Sequence, residues 1–364
     1  DFSAGEVVLG HVVNWLAESV EKGKWEGETV FLHKDGHEMP CKIKITPTKD
    51  NEGNHIGYCG VTSPLKEKKP DQVRPKINLF TKIFCWMVIM RLPFLTATIV
   101  PILLGTAVAS QLGYNIDWLY FTLTMIGGSL LHIGTNTSND YFDHTSSADE
   151  INKVASPFNG GSRVIQVGLM TPGQVLITAL LSIIGTIGIG LYINQQISGF
   201  IFGNTPILWT GILGTFLALG YTGDPIRLGY KGFGEIAIAL GFGPVMVMGA
   251  HYVLTFPIHD NDLALWNWME ALLASIPIGL LVMLIVWINQ FQDAPSDAAV
   301  GKNTWVVRTA INDGWMRLEK PLSLYKQFMI EAFLSVALIG LLSFFTEFGT
   351  IYAFIALLPL ALVW

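Results

Sequence analysis

The stretch Asn139-Asp140-Tyr141-Phe142-Asp143, with Asp149 six residues further on, has a counterpart much later in the chain at Asn289, Asp293 and Asp297. In each group an amide and a carboxylate lie four residues apart, so on a helix they share one face. Both groups close long apolar runs. An acid in a membrane-spanning helix costs about 2.5–3.5 kcal/mol at its centre and less near the interface, so two such clusters call for a neutralising cation. Carboxylate and amide oxygens suit hard cations, and Mg²⁺ above all when phosphate oxygens complete its shell. Facing each other and flanked by Arg and Lys, the two groups would form a site for a diphosphate bridged by Mg²⁺. If that diphosphate is the leaving group of an allylic lipid, the cations offset the charge that develops on its departure. The allylic cation left behind needs water kept away. Tyr141, Phe142 and Trp287 are candidates to line it, although plain packing is the commoner role for each.

These residues need elements to hold them. The chain has 364 residues, 51% hydrophobic and 14% charged, which is too apolar for an ordinary soluble enzyme. A helical span takes about 20 apolar residues to cross about 30 Å of hydrocarbon. Candidates fall at 92–111, 117–138, 173–194, 205–222, 232–255, 270–291, 325–345 and 349–364. The expected fold is therefore an all-α polytopic membrane helical bundle with about eight spans. The chain starts at Asp1 and its last apolar run stops at Trp364, so truncation at both ends is expected.

Of the 22 Lys and Arg, thirteen lie at or before Arg91. Lys153 and Arg163 follow the second span, Arg227 and Lys231 the fourth, and Lys302, Arg308, Arg317, Lys320 and Lys326 the sixth. The connections 112–116, 195–204, 256–269 and 346–348 carry none. Under the positive-inside rule the N-terminus and both acidic groups are then cytoplasmic, in a multi-pass protein of the cell (inner) membrane. The net charge of −6 gives no reason to expect nucleic acid binding. Cys41, Cys59 and Cys85 have no metal-ligand or redox spacing and read as free thiols in a reducing compartment.

Three connections carry further candidates. In Pro157-Phe158-Asn159-Gly160-Gly161-Ser162-Arg163, the choice is between a simple turn and a loop whose backbone N–H groups, with Arg163, hold phosphate oxygens; proximity to the acids favours the second. The loop Tyr221 to Lys231 carries Arg227, Tyr230 and Lys231. It reads equally as an interfacial anchor and as a further diphosphate clamp. Gly301-Lys302-Asn303-Thr304 follows the second acidic group. His132, within the second span, reads foremost as a bundle-core histidine. Gly232-Phe233-Gly234-Glu235-Ile236-Ala237 fits a dinucleotide-binding pattern but follows no strand, so that signature is false.

Residues 1–64 are different material. Short alternating runs at Thr29–Leu32 and Lys42–Ile45, between turn signals at Asp35-Gly36 and Asn51-Glu52-Gly53, predict a small antiparallel sheet after a helix at about 9–22. Trp25-Glu26-Gly27-Glu28, His33-Lys34-Asp35-Gly36, Ile45-Thr46-Pro47 and Gly57-Tyr58-Cys59-Gly60-Val61-Thr62 resemble the C-terminal half of a PAS domain. The resemblance implies an α+β PAS-like module, with dimerisation through it and ligand sensing left open because the first half is not in the sequence. Residues 65–78 form a basic, proline-bearing linker beside anionic headgroups.

Residues 79–364 resemble the UbiA superfamily of membrane prenyltransferases, nearest its MenA-like 1,4-dihydroxy-2-naphthoate polyprenyltransferase branch. The carrying stretches are Leu95-Thr96-Ala97-Thr98-Ile99-Val100-Pro101, the first acidic motif with Asp149, Gly160-Gly161-Ser162-Arg163, Tyr221 to Gly234, and Asn289 to Thr304. The resemblance implies nine spans, Mg²⁺ and a polyprenyl diphosphate at the cytoplasmic face, and an aromatic quinone precursor as acceptor within the lipid bilayer. It assigns Asn139, Asp143 and Asp149 to the first metal motif and Asn289, Asp293 and Asp297 to the second, with Asp143 and Asp293 as the catalytic acids. Arg163 and Lys302 would contact the diphosphate. The gap from Asp143 to Asp149 follows the naphthoate branch. Against the family pattern, the ninth span is absent and the eighth is cut. Pro295 also disfavours helix at Ala294, which would take Asp297 off the shared face. Two other functions compete. An ion-coupled transporter would place its acids near mid-span, and a membrane-anchored PAS sensor would need an output domain.

Overall fold

The structure, a computed structural model, describes residues 11–33, 37–73, 83, 86–145, 161–162, 164–165, 170–259, 262–312 and 315–346. The chain forms two compact units, residues 1–88 with 163–171, and residues 89–162 with 172–364.

In the first unit, helix α1 (His11–Lys22) precedes a three-stranded antiparallel sheet of β1 (Trp25–Leu32), β2 (Glu38–Lys49) and β3 (His55–Pro64), in that order. Alternation along β2 buries Cys41, Ile43 and Ile45 and exposes Lys42 and Lys44, as a half-buried strand requires. Trp15 of α1 stacks on Trp25 of β1, with ring centroids 4.4 Å apart. The helix, the sheet and the turn at Asn51-Glu52-Gly53 stand where the sequence puts them. The turn signal at Asp35-Gly36 lies outside the described residues. Cys41 is buried and Cys59 exposed, both as free thiols.

The second unit is a helical bundle. Its long elements are α2 (Thr96–Gln111), α3 (Trp118–Thr145), α4 (Pro172–Ser198), α5 (Pro206–Gly220), α6 (Gly234–Leu240), α7 (Met246–His259), α8 (Trp268–Ala299) and, after the short α9 (Trp305–Ala310), α10 (Glu319–Leu342). Helices stand at seven of the eight places where spans are expected, and the eighth, at 349–364, lies outside the described residues. Among the described residues, five stretches are long and apolar enough to cross a membrane: Trp86–Gln111, Pro172–Ser198, Gly234–Phe256, Trp268–Ala299 and Glu319–Leu342. α5, at 15 residues, is shorter, and the many polar residues of α3 dilute its hydropathy. Leu181 and Ile184 on α4 and Trp209 on α5 are 66%, 63% and 60% exposed. Apolar surface on that scale fits contact with lipid better than contact with water. Between α6 and α7, Gly241–Val245 widens into a π turn around Pro244, which lacks the N–H for an ordinary helical bond.

The expected break at Pro295 does not occur. α8 runs unbroken through Pro277 and Pro295 to Ala299, and Asp293 and Asp297 are both buried. Packing overrides local preference: Ala294 is fully buried in a cluster with Met283, Leu284, Trp287, Val306 and Val307. Ser296 Oγ also donates to the Asp293 carbonyl at 2.8 Å. Trp287 packs against Trp305 and Phe328 with centroids 5.6 and 5.5 Å apart, so its place is in this core.

Candidate active site

Asn139 and Asp143 sit in the last two turns of α3, and Asp293 and Asp297 in the last two turns of α8. Helix-end placement is what the diphosphate reading requires and what the transporter reading does not. On α3 the four-residue spacing closes a contact, with Asn139 Nδ2 donating to Asp143 Oδ2 at 3.1 Å. Tyr230 Oη, from the loop after α5, donates to the other oxygen, Asp143 Oδ1, at 3.0 Å.

The two motifs meet at one lysine. Lys302 Nζ lies 3.8 Å from Asp143 Oδ2 and 3.6 Å from Asp297 Oδ1. Its position follows from how α8 ends. Gly301 takes φ +74°, the left-handed region that suits glycine. The Gly301 N–H then bonds to the Ala298 carbonyl at 3.2 Å, and the Lys302 N–H to the Asp297 carbonyl at 2.8 Å. That pair of bonds is a Schellman closure, which folds the residue after the glycine back over the last full turn. Here the residue folded back is a lysine and the residue beneath it is Asp297. Burial pushes the Lys302 ammonium down, but the Asp143 and Asp297 carboxylates outweigh it and hold its pKa well above the ordinary lysine value. The ammonium also lies 5.4 Å from the centre of the Tyr230 ring.

A second layer of contacts supports the first motif. Asp140, buried, pairs with Arg91 Nη2 at 2.9 Å and accepts the Ser162 N–H at 3.3 Å, both through Oδ1. His132, two turns below Asn139, is bonded to Thr98 Oγ1 through Nδ1 at 3.0 Å and ties α3 to α2, the bundle-core role.

Other expected contributors make contacts of their own. Arg227 pairs with Asp224 of its own loop at 2.7 Å and lies 5.1 Å over the Tyr230 ring. Lys231 Nζ donates to the Pro225 carbonyl at 3.1 Å. Asn289 is half-buried. Asp149, Gly160 and Arg163 lie outside the described residues. Gln290 and Arg91 carry no role in the sequence reading, and Asp140 and Tyr230 none beyond their place in the first motif and in the Tyr221 to Lys231 loop. Gln290 had a usable signal, since it stands three and seven residues before Asp293 and Asp297.

The residues present fit Mg²⁺. Among the described residues, no group of three His, Cys, Asp or Glu could hold an ion by itself. Mg²⁺ does not need one, because it is commonly held by one or two carboxylates with phosphate oxygens and water. Asn139 Oδ1 and Gln290 Oε1 are buried and accept no hydrogen bond, which leaves hard oxygen donors beside the acids. An apolar cavity of about 530 Å³ adjoins the site, with Leu131, Thr135, Gly211, Tyr221 and Phe242 in its wall. The phenol of Tyr221 lies within electrostatic reach of Lys302, Asp297 and Asp143. The wall continues to Phe202 at the other end of α5, a run of about 22 Å at 1.5 Å per residue.

Residues 98–364 match the model of the UbiA prenyltransferase family. The chain is 30% identical over 213 residues to a 1,4-dihydroxy-2-naphthoate octaprenyltransferase of Bacillus subtilis (strain 168), covering 58% of this chain and 62% of that protein. It is 28% identical over 269 residues to the Mycobacterium tuberculosis protein of the same name, covering 72% and 79%. The chain thus spans less than two thirds of the Bacillus relative and more of the mycobacterial one. Its fold is similar to that of a UbiA homolog from Archaeoglobus fulgidus solved with DMAPP and Mg²⁺, with a TM-score of 0.51 and 14% identity over 76% of this chain and 84% of that one. The acidic motifs, the helical bundle and the match over most of the sequence agree: this chain belongs to the UbiA prenyltransferase family.

Proposed function

We propose that this protein is a Mg²⁺-dependent membrane prenyltransferase. It moves a polyprenyl group from its diphosphate to an aromatic quinone precursor, 1,4-dihydroxy-2-naphthoate, in menaquinone biosynthesis. The observation that carries the reading is the meeting of two distant acidic motifs at Lys302, beside an apolar cavity. Asn139, Asp143 and Asp149 from one motif and Asn289, Asp293 and Asp297 from the other would hold Mg²⁺, which would supply positive charge beside the leaving diphosphate. Lys302 and Arg163 contact that diphosphate, with Arg227 and Lys231 at its rim. Gln290 adds an oxygen donor to the second motif. The surrounding helices keep water from the allylic cation, and the cavity along α5 takes the isoprenoid tail. The naphthoate named for the Bacillus and mycobacterial relatives supports the choice of acceptor.

Basic-residue placement supports a cytoplasmic site in the inner membrane. The N-terminal α+β unit is consistent with a PAS-like module, through which two copies would associate. The test is direct. Membranes carrying the protein, given labelled prenyl diphosphate, Mg²⁺ and dihydroxynaphthoate, should form the prenylated product. Chelating the metal or changing Asp143→Ala should abolish it. Unchanged turnover in Asp143→Ala would remove the metal role.

A further inference from the structure

We infer that Glu235 is a positioning residue that holds Lys302 between the two acidic motifs. Glu235 is 0% exposed, in the first turn of α6. A carboxylate is costly to bury unless bonds hold it. Its Oε1 accepts the backbone N–H of Trp305 at 2.7 Å, while Oε2 accepts no hydrogen bond. Trp305 is three residues past Lys302, and the segment between them is tied to the same side. The Asn303 N–H donates to the Tyr230 carbonyl at 2.9 Å. The Trp305 indole N–H donates to the Gly232 carbonyl at 2.9 Å. Arg308 Nη2 donates to the Lys231 carbonyl. The approach is close enough to need glycine, because a Cβ on Gly232, itself at φ +73°, would fall 2.4 Å from Arg308 Cζ.

Lys302 is therefore fixed from both directions. The Schellman turn fixes the chain before it, and the clamp on residues 303–308 fixes the chain after it. Of the bonds in that clamp, the one to Glu235 has a side-chain acceptor, and the others end on backbone carbonyls. Glu235 lies in the stretch whose dinucleotide-binding signature is false, so this gives those residues a different use.

The test reads Lys302 directly. In metal-free protein in detergent, acetylation of Lys302 is followed by mass spectrometry, with exposed Lys320 as internal reference. Glu235→Ala should raise the Lys302 rate roughly tenfold, as expected when a locally closed segment opens. Glu235→Gln, which keeps an acceptor for Trp305 N–H, should stay near wild type. Where Glu235→Ala fails to fold, Glu235→Asp, which keeps the carboxylate but shortens its reach to the Trp305 N–H, should raise the rate in the same direction. An unchanged Lys302 rate in a folded variant overturns the proposal. So does a Glu235→Gln variant that loses as much as Glu235→Ala.

A second arm rests on the prenyltransferase reading. Glu235→Ala should raise KM for prenyl diphosphate more than it lowers kcat, and should add little on top of Lys302→Ala, because its effect passes through that lysine. Independent, multiplying effects overturn the proposal. Were the wild type to transfer no prenyl group at all, the functional reading would fall, and acetylation would still decide the clamp.

Discussion

Lys302 stands where two buried carboxylates need a positive charge. The side-chain exposures are 15% for Lys302, 5% for Asp143 and 9% for Asp297, so water screens the trio poorly. Removing one partner of a buried pair typically costs about 3–5 kcal/mol, because the charge left behind is uncompensated. Lys302→Met should therefore lower the melting temperature of the metal-free protein. Mg²⁺ should restore more stability to this variant than it adds to the wild type, since the ion then supplies the missing charge. Equal Mg²⁺ shifts in the two proteins, read by intrinsic-fluorescence melting, would count against the pairing. At this scale the sequence showed the acids well, because amide and carboxylate at four-residue spacing on apolar helices are rare and conspicuous. It did not show Tyr230 on Asp143 or Arg91 on Asp140, since those partners are 87 and 49 residues away. Tyrosines and arginines at membrane interfaces have an ordinary explanation that needs no site.

The helices were legible from apolar run length alone, and one local rule failed among them. Pro295 disfavours helix at Ala294, yet α8 continues, because the burial of Ala294 and Trp287 on the same helix outweighs that local preference. The cavity was not legible, because it depends on how α3, α4, α5 and α7 pack. Its shape yields a prediction for α5. Gly211 lies mid-helix in the cavity wall, and a Cβ there would meet nothing within 4 Å. Gly211→Leu should therefore fold and fill the passage. Transfer from octaprenyl diphosphate should drop roughly tenfold or more, the factor that about 1.4 kcal/mol of lost tail burial corresponds to. Transfer from geranyl diphosphate, whose short tail stops before that point, should hold. Equal losses for both substrates would take the tail out of this cavity.

For the whole molecule, the placement of basic residues predicts an orientation, and the chain's own cysteines can test it. Thirteen of the 22 Lys and Arg precede the first span, and the connections 112–116, 195–204 and 256–269 carry none. With both acidic motifs at one end of the bundle, joined through Lys302, a single side assignment serves both motifs. Cys59 is exposed in β3 and Cys41 buried in β2. In a Cys85→Ser background, a membrane-impermeant maleimide should label Cys59 in inverted vesicles and leave it unlabelled in intact cells. A reporter on the opposite side completes the test, because labelling from one face alone would also follow from leaky vesicles. Gln196, exposed at the end of α4, lies in the charge-free 195–204 connection. In a chain without other cysteines, Gln196→Cys should label in intact cells. If both positions react from the same side, the positive-inside assignment fails, and a cytoplasmic diphosphate site fails with it.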